Sequence, residues 1–243
     1  MQEIVYHTNY ELEDSYWWFL ARNVIVRNLI FKFCSLKSGD EVLDVGCGTG
    51  GFAKFLSEYY DVLCLDTSSL ALEYCSKRGL KKLYNMTLGE FPKSDNNIKA
   101  ILMLDVVEHI EDDNKVIKEV FDALPSNGYF ISTVPSYQWL WSKHDEIHLH
   151  YRRYNKNNYN ELLLKNGFQI DYSSYYNFLL FFPAVIKRLF DKILKIKDNN
   201  KPIDEMTPMM NRIFHKIFSF EEKLLGKISL PFGLSIITIA RKV

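Results

Sequence analysis

A glycine-rich turn is the stretch of this chain best suited to bind a small ligand. It follows residues 41–45, whose apolar side chains predict a short buried strand, and it leads into a helical pattern that begins at Phe52. Glycine lets the backbone approach a ligand closely, and the first turn of a helix offers unpaired N–H groups. A strand, a glycine turn and a helix in this order predict a site for an adenosine-containing cofactor. The glycines of the turn are Gly46, Gly48, Gly50 and Gly51.

The glycine spacing alone leaves the class of cofactor open, because Gly46-x-Gly48-x-x-Gly51 also fits the dinucleotide fingerprint. Asp44 lies within the predicted strand, where its carboxylate would repel the pyrophosphate of a nicotinamide dinucleotide but attract a ligand that carries an ammonium group. Asp66 ends the next predicted strand and does not discriminate, since an acid at this position can hold ribose hydroxyls in either class. Asp44 therefore favours a cationic adenosine cofactor.

A second set of reactive side chains follows the fifth predicted strand, in the segment 136–154. Imidazole titrates near neutral pH and an adjacent carboxylate can orient it, so His144 with Asp145 is the candidate general base. His148 joins them as a catalytic candidate. Two alternatives stay open: zinc ligation by the histidines of this segment, and a structural role in which its histidines and arginines pair with nearby acids. The residues assigned to the acceptor are Trp18, Trp141, Arg152 and Arg153, the arginines because they suit phosphate or carboxylate groups.

The elements that must position these residues alternate regularly through the middle of the chain. Strand patterns separated by helical patterns are typical of a doubly wound parallel α/β sheet, whereas residues 1–15 show no strong period. We expect a single domain over residues 1–243. Its parts are an N-terminal helical lid (1–38), a cofactor-binding core (39–175), a helical cap or insertion (176–230) and a final strand (231–243).

Two tryptophans begin the first helical pattern of the chain. Adjacent positions on a helix do not share one face, so Trp17 and Trp18 must have different surroundings. One interpretation is a lid over the cofactor or the acceptor. The other is a hydrophobic clamp on a neighbouring helix.

Composition limits the classes of partner. The formal net charge is zero, so no global field attracts nucleic acid. The cysteines show no C-x-x-C spacing and no signal peptide is present, which predicts reduced thiols and a cytosolic location. No apolar run is long enough to span a membrane, but apolar residues and lysines mix over 178–201. That segment predicts a surface that rests on a membrane or a cap over the site, with ordinary helical packing as the alternative.

Two sequence motifs carry a family resemblance. Val42-Leu43-Asp44-Val45-Gly46-Cys47-Gly48-Thr49-Gly50 resembles motif I of class I S-adenosylmethionine-dependent methyltransferases, and Leu104-Asp105-Val106-Val107-Glu108-His109-Ile110 resembles the motif that ends their fourth strand. The resemblance covers residues 39–175 and the final strand. It implies a Rossmann-like sheet of seven strands in the order 3-2-1-4-5-7-6. The last strand would be antiparallel, with an N-terminal helix and a helical insertion before that strand.

The same resemblance implies S-adenosylmethionine as the cofactor. Its methionine part would lie over the glycines of motif I with Asp44 near its ammonium group, and Asp66 would bind the ribose hydroxyls. Thr87 stands where the family often has an acid, so the contact with the adenine amino group would rest on backbone groups. Arg22 would pair with the carboxylate of the cofactor. The further positions assigned to cofactor binding are Cys47, Thr67, Thr87, Leu88, Leu104 and Asp105.

The pattern Asp105-x-x-Glu108-His109 has two interpretations. The ubiquinone-type O-methyltransferases, to which the chain is distantly similar, carry two acids and a histidine at this spacing, and these are proposed to hold a divalent metal. Many class I methyltransferases without a metal share a similar pattern, in which the side chains anchor the end of the fourth strand. We assign no metal to these residues.

The sequence therefore predicts an enzyme that transfers a methyl group from S-adenosylmethionine to a small-molecule, glycan or lipid-linked acceptor, at oxygen. We expect it in the cytoplasm, with peripheral membrane contact through 178–201. The alternatives are a nicotinamide-dependent oxidoreductase and a non-catalytic methyltransferase-like binding protein. Nucleic acid is not expected as the acceptor, because the chain is not basic and lacks an Asn/Asp-Pro-Pro-aromatic motif at Asp105.

Overall fold

The computed structural model describes residues 3–92, 97–193, 203 and 206–243. The strands are β1 (Glu41–Val45), β2 (Asp61–Leu65), β3 (Leu83–Tyr84), β4 (Ile98–Leu104), β5 (Tyr129–Pro135), β6 (Phe168–Tyr176) and β7 (Ser235–Lys242). They form a seven-stranded sheet in the order β3-β2-β1-β4-β5-β7-β6. β7 runs antiparallel to β5 and β6, and the other neighbours are parallel. The predicted fold class and strand order are confirmed.

Helices cover both faces of this sheet, as the alternating sequence pattern predicts. The helices are α1 (Glu3–Leu12), α2 (Trp17–Phe33), α3 (Gly51–Leu56), α4 (Ser69–Lys77), α5 (Asp113–Ala123), α6 (Lys143–Ile147), α7 (Lys156–Lys165), α8 (Phe181–Ile193) and α9 (Pro208–Phe220). Buried residues of α2, α3, α4 and α9 pack in one apolar core and those of α5 and α7 in another. Val42 belongs to the first core and Leu43 to the second, because successive side chains of a strand point to opposite faces.

Helix α1 is an element that the periodicity of residues 1–15 does not predict. Only Val5 and Tyr6 of this helix are buried, so its apolar face is too narrow to produce a clear period. Its contacts are tertiary: Tyr10 stacks on Tyr74 of α4 with ring centroids 4.3 Å apart. Because this helix is stabilised mainly by contacts with residues far along the chain, its own sequence shows little helical periodicity.

The two adjacent tryptophans of α2 have different surroundings, as their spacing requires. Trp17 is buried against Phe214 and Phe218 of α9, with ring centroids 5.6 and 5.7 Å away. Trp18 is half-buried and lies under the guanidinium of Arg22, 4.6 Å from its ring centroid. The clamp interpretation therefore describes Trp17, whereas Trp18 lies beside a candidate cofactor-binding residue.

Helix α8 lies within the segment 178–201, which the sequence predicts to meet a membrane or to cap the site. Residues 194–201 of that segment lie outside the described residues. Among the helices that the structure describes, none has the length and apolar character needed to cross a membrane.

Candidate active site

The glycine turn after β1 has a backbone that only glycine adopts easily. Gly46, Gly48 and Gly50 have φ angles of 69°, 56° and 79°. A Cβ on Gly46 would lie 2.6 Å from a methyl carbon of Val106, and a Cβ on Gly50 would lie 2.7 Å from the sulfur of Cys75. A Cβ on Gly48 would meet nothing within 4 Å. Packing thus demands two of the glycines, while the third borders open space that a ligand can fill.

Asp44 is a buried acid that suits a cationic ligand. Its residue is 3% exposed, and its carboxylate has no hydrogen-bond partner among the described residues. Burial raises the pKa of this carboxyl to about 8, since the charged form is poorly solvated there. The positive charge of Arg22 already acts on this carboxyl, and a ligand ammonium group at this position would supply further counter-charge. The residue therefore fits the part that the family resemblance implies for it.

Asp66 extends the same edge at the end of β2. The carboxylate accepts a hydrogen bond from the N–H of Gly48 at 3.0 Å and another from the N–H of Ser68 at 2.8 Å. Each oxygen keeps a further lone pair, so the group can still accept hydrogen bonds from ribose hydroxyls. Burial raises the pKa of Asp66 as well.

The start of helix α3 is occupied by an acid from a distant part of the chain. Glu13, just after α1, accepts hydrogen bonds from the N–H of Gly51 at 2.9 Å and from the hydroxyl of Thr49 at 2.6 Å. Arg78 of the segment after α4 lies 3.2 Å from the same carboxylate oxygen. A dinucleotide would need this helix start for its pyrophosphate, so Glu13 opposes that class of cofactor. No motif in the sequence pointed to Glu13.

Arg22, Trp18 and Asp105 meet at the carboxyl end of β4. Arg22 donates to a carboxylate oxygen of Asp105 at 2.9 Å, while its buried Nε has no partner among the described residues. Asp105 has a φ of 58°, a conformation that costs energy for a residue other than glycine and often marks functional sites. That Arg22 pairs with the carboxylate of a cofactor stays a prediction.

The remaining predicted cofactor residues lie around the same edge of the sheet, where the carboxyl ends of parallel strands meet. Thr67 is exposed after β2, and Leu104 is half-buried at the end of β4. Thr87 donates its hydroxyl hydrogen to Glu90 at 2.7 Å and so begins a short 3₁₀ turn in which Leu88 is buried. Cys47 is half-buried within the glycine turn. Their binding roles stay predictions.

The predicted acceptor segment, residues 136–154, is organised by a buried ion pair. Asp145 of α6 is fully buried and accepts two hydrogen bonds from Arg153, at 2.7 and 2.9 Å, and a third from the backbone N–H of Ser142 at 2.8 Å. Burial opposes ionisation, yet the hydrogen bonds of His150 and Arg153 hold the pKa of Asp145 well below its usual range. Both arginines assigned to the acceptor therefore pair with acids of the protein itself. Arg153 pairs with Asp145, and Arg152 pairs with Asp113 at 2.7 Å.

The carboxylate of Asp145 orients a histidine other than its sequence neighbour. His150 Nδ1 lies 2.9 Å from Asp145, whereas His144 is exposed and stacks on His148 with centroids 3.9 Å apart. His148 is buried, its Nδ1 bonds to the carbonyl of His144, and burial lowers its pKa. Trp141 is half-buried in the same segment. The sequence argument for a histidine beside an aspartate therefore applies, in space, to His150.

Glu108 lies between this segment and the end of β4. Its residue is 1% exposed, and neither carboxylate oxygen has a hydrogen-bond partner among the described residues. Burial raises its pKa well above the ordinary value, and burial lowers that of His109 to about 3. Ligand atoms of Glu108, His109 and His150 lie within 4.8 Å of one another. Such donors suit a transition metal better than magnesium, and the group differs from the sequence pattern in using His150 instead of Asp105.

Comparison with known proteins points to methyltransferases. The family model described as a methyltransferase domain matches residues 19–173. A sterol 24-C-methyltransferase of Aspergillus fumigatus is 32% identical over 114 residues, which are 43% of this chain and 29% of the relative. A protein of Mycolicibacterium smegmatis named as an S-adenosylmethionine-dependent methyltransferase is 26% identical over 165 residues, which are 66% of this chain and 62% of the relative. The chain thus spans less than two thirds of the length of these curated relatives.

A solved structure shows the same fold. Phosphoethanolamine N-methyltransferase 2 of Haemonchus contortus, in complex with S-adenosyl-L-methionine, superposes with a TM-score of 0.55 at 19% identity. The match covers 89% of this chain and 52% of that protein. Because the family model covers well over half of the residues, the chain belongs to the class I S-adenosylmethionine-dependent methyltransferase family.

Proposed function

We propose that the chain transfers a methyl group from S-adenosylmethionine to an oxygen of a small-molecule, glycan or lipid-linked acceptor. The observation that carries this proposal is the unpaired, buried carboxyl of Asp44 beside the glycine turn. An ammonium-bearing cofactor satisfies that group, whereas a dinucleotide would bring phosphate charge to a helix start that Glu13 already occupies. Asp44 and Glu13 therefore both disfavour the alternative of a nicotinamide-dependent oxidoreductase.

The residues of the chain act by binding, orientation and proton transfer. When bound, the cofactor supplies an electrophilic methyl group on a sulfonium sulfur. A hydroxyl acceptor must then lose a proton, and a positioned base accelerates that step by about 10²–10⁴-fold. We propose His150 as this base, because Asp145 holds its Nδ1 and leaves Nε2 free to take a proton. Its Nε2 lies 4.0 Å from the unpaired carboxyl of Glu108, which is a candidate partner of the acceptor hydroxyl.

The contrast between two histidines tests the assignment of the base. His150→Ala should lower kcat for methyl transfer by about 10²-fold or more, since the base is lost. His144→Ala, the variant that the sequence pattern selects, should reduce kcat less because its ring lacks the orienting carboxylate. The opposite order of effects would restore His144 as the base. S-adenosylhomocysteine release measures both variants.

Calorimetry tests the cofactor class directly. S-adenosylmethionine and S-adenosylhomocysteine should bind the purified protein, and NAD should not. Binding of NAD without binding of S-adenosylmethionine would instead support a nicotinamide-dependent oxidoreductase. Binding of S-adenosylmethionine without any methyl transfer to phenols, sterols, phosphoethanolamine and polyprenyl-linked sugars would favour the non-catalytic binding protein.

A membrane-bound source is proposed for the acceptor, because α8 carries an exposed apolar stripe beside the acceptor segment. Phe182, Ile186, Leu189 and Phe190 are each more than half exposed and recur at helical spacing. Phe181, in contrast, is buried against Tyr137 and Trp139, so the stripe adjoins the acceptor segment. Trp139 is itself 61% exposed. A lipid surface would cover this stripe and deliver a lipid-linked acceptor to the site.

Vesicle co-sedimentation tests the contact of α8 with lipid. The double variant of Phe182 and Phe190 to Ser should pellet less with vesicles of phosphatidylcholine and phosphatidylglycerol than the unchanged protein does. Ile4→Ser is the matched control, since Ile4 is similarly exposed but lies on α1. Equal pelleting with and without lipid would rule out the membrane contact and leave methyl transfer to a water-soluble acceptor.

A further inference from the structure

Three of the four cysteines meet beneath the glycine turn. Cys47 belongs to the turn, Cys64 to β2 and Cys75 to α4, and their sulfurs lie within 4.8 Å of one another. Cys34 follows α2 and is not part of this group. None of the uses of the site described above requires a thiol, although the cluster directly supports the turn that would hold the cofactor.

The contact between Cys47 and Cys75 is the closest that the cluster makes. Their sulfurs are 3.7 Å apart, and the sulfur of Cys75 lies 3.3 Å from the carbonyl oxygen of Gly48. Cys47 is half-buried, whereas Cys64 and Cys75 are completely buried. Cys47 is therefore the least buried member of the cluster, and it precedes Gly48, where a Cβ would meet nothing within 4 Å.

The surroundings of Cys75 favour the reactive form of a thiol. Hydrogen bonds from the Cys47 and Cys64 thiols lower the pKa of Cys75, and the positive charge of Arg78 acts in the same direction. A thiol pair that shares a proton in this way has a nucleophilic sulfur available near neutral pH. Asp44 and Asp66 also face the cluster, so three metal-bound thiolates would gather excess negative charge there.

We propose that Cys47 and Cys75 form an oxidisable dithiol, which a peroxide converts into a disulfide that deforms the glycine turn and weakens cofactor binding. The disulfide does not depend on the proposed methyl transfer. Its effect on affinity does rest on the proposed cofactor site.

The reaction balances with a hydroperoxide as the oxidant. The Cys75 thiolate attacks a peroxide oxygen, the O–O bond breaks, and the departing oxygen takes a proton and leaves as water or an alcohol. The sulfur of Cys47 then attacks the sulfenic sulfur of Cys75, the S–O bond breaks, and a second water leaves with another proton. Together the thiols lose two protons and two electrons, which the peroxide accepts.

The geometry explains why the disulfide would reach the cofactor. A disulfide bond is about 2.05 Å long, so the two sulfurs must approach each other from their present 3.7 Å. Cys75 is held in helix α4, whereas Cys47 lies in the turn between Gly46 and Gly48. The turn therefore moves more easily than the helix, and its movement disturbs the hydrogen bond from Gly48 to Asp66.

Peptide mapping and calorimetry test the proposal together. The reduced protein is treated with a small excess of hydrogen peroxide, alkylated and digested without reductant. A peptide pair linked through Cys47 and Cys75 is expected, and the affinity for S-adenosylhomocysteine should fall at least tenfold and recover with dithiothreitol. Saturation with S-adenosylhomocysteine before oxidation should slow the linkage, because the ligand would cover Cys47.

Two variants separate the dithiol from general oxidation damage. In Cys75→Ser the ratio of affinities before and after peroxide should approach one, whereas Cys34→Ser should keep the tenfold loss. A link through Cys64, zinc bound to the reduced thiols, or unchanged affinity after complete linkage would each overturn the proposal. If the reduced protein binds no S-adenosylhomocysteine, the proposed cofactor site fails, while the peptide map still decides the disulfide.

Discussion

The predicted cofactor half of the site, around the glycine turn 46–51, and its predicted acceptor half, residues 136–154, contain buried acids with opposite surroundings. Beside the glycine turn, Asp44 is buried without a hydrogen-bond partner among the described residues. In the acceptor half, Asp145 is equally buried but bonds to Arg153, His150 and the backbone of Ser142. An unpaired buried acid costs stability and is tolerated where a ligand completes it, whereas a paired one supports the fold. By that criterion we expect Asp44 and Glu108 to face ligands and Asp145 to position other residues.

Removal of Asp145 should give the largest change in stability. Asp145→Ala leaves Arg153 buried without its carboxylate, and breaking one partner of a buried pair costs about 3–5 kcal/mol. Urea unfolding measures the difference in the free energy of unfolding. The matched control is Glu146→Ala on the same helix, whose exposed ion pair with Lys143 should contribute less than about 1 kcal/mol. Similar losses in both variants would remove the distinction between the two halves.

Substitution of Asp44 should lower affinity while it raises stability. Asp44→Asn removes the counter-charge of the cofactor ammonium, and a hydrogen bond to a charged group contributes about 1.5–3 kcal/mol, so Kd for S-adenosylmethionine should rise about 10-fold to 100-fold. The Tm of the ligand-free protein at pH 8 should increase, because a poorly solvated charge is lost. Calorimetry and thermal unfolding report the two effects. Asp122→Asn, an exposed acid of α5, should change neither quantity. A variant with lower Tm would show that Asp44 is a structural acid like Asp145.

Substitution of Glu13 tests whether the cofactor half also depends on a residue that is far away along the chain. Glu13→Gln weakens the pairing with Arg78 and the acceptance of hydrogen bonds from Gly51 and Thr49, which should cost about 1–3 kcal/mol. Amide hydrogen exchange in α1 should become faster. Asp14→Asn affects the same arginine, but the Asp14 side chain is 73% exposed, so its loss should be smaller. Equal losses would mean that the contribution of Glu13 to stability comes from its pairing with Arg78 and not from its hydrogen bonds at the start of α3.

The pH dependence of stability tests the raised pKa of Asp44 separately from ligand binding. Burial raises the folded-state pKa of Asp44 to about 8, above its ordinary unfolded value of about 4. The folded protein therefore binds this proton more tightly than the unfolded chain, and the stability that follows is present below about pH 4 and is lost as pH rises through 8. Thermal unfolding from pH 5 to 8.5 should show a steeper decline for the unchanged protein than for Asp44→Asn. Parallel curves would contradict the raised pKa.

The two halves also differ in how far the sequence predicts them. The cofactor half is encoded in contiguous residues: an apolar strand, a glycine turn and an acid at the end of the next strand, all of which lie at the predicted places. The acceptor half is assembled across the chain. A backbone hydrogen bond from Tyr151 to the carbonyl of Glu108, 2.8 Å long, brings His150 beside Glu108. No spacing rule predicts that Asp145 orients His150 and not its neighbour His144.

The sequence by itself determined the α/β class, the strand order through the family resemblance, and the position of the cofactor turn. These depend on local periodicity and on backbone conformations that only glycine adopts easily. The tertiary structure alone decided that α1 forms, that Glu13 occupies the start of α3, and which histidine Asp145 orients. Such pairings depend on which groups burial brings within hydrogen-bond distance, and a buried polar group takes the nearest partner in space, whatever its distance along the chain.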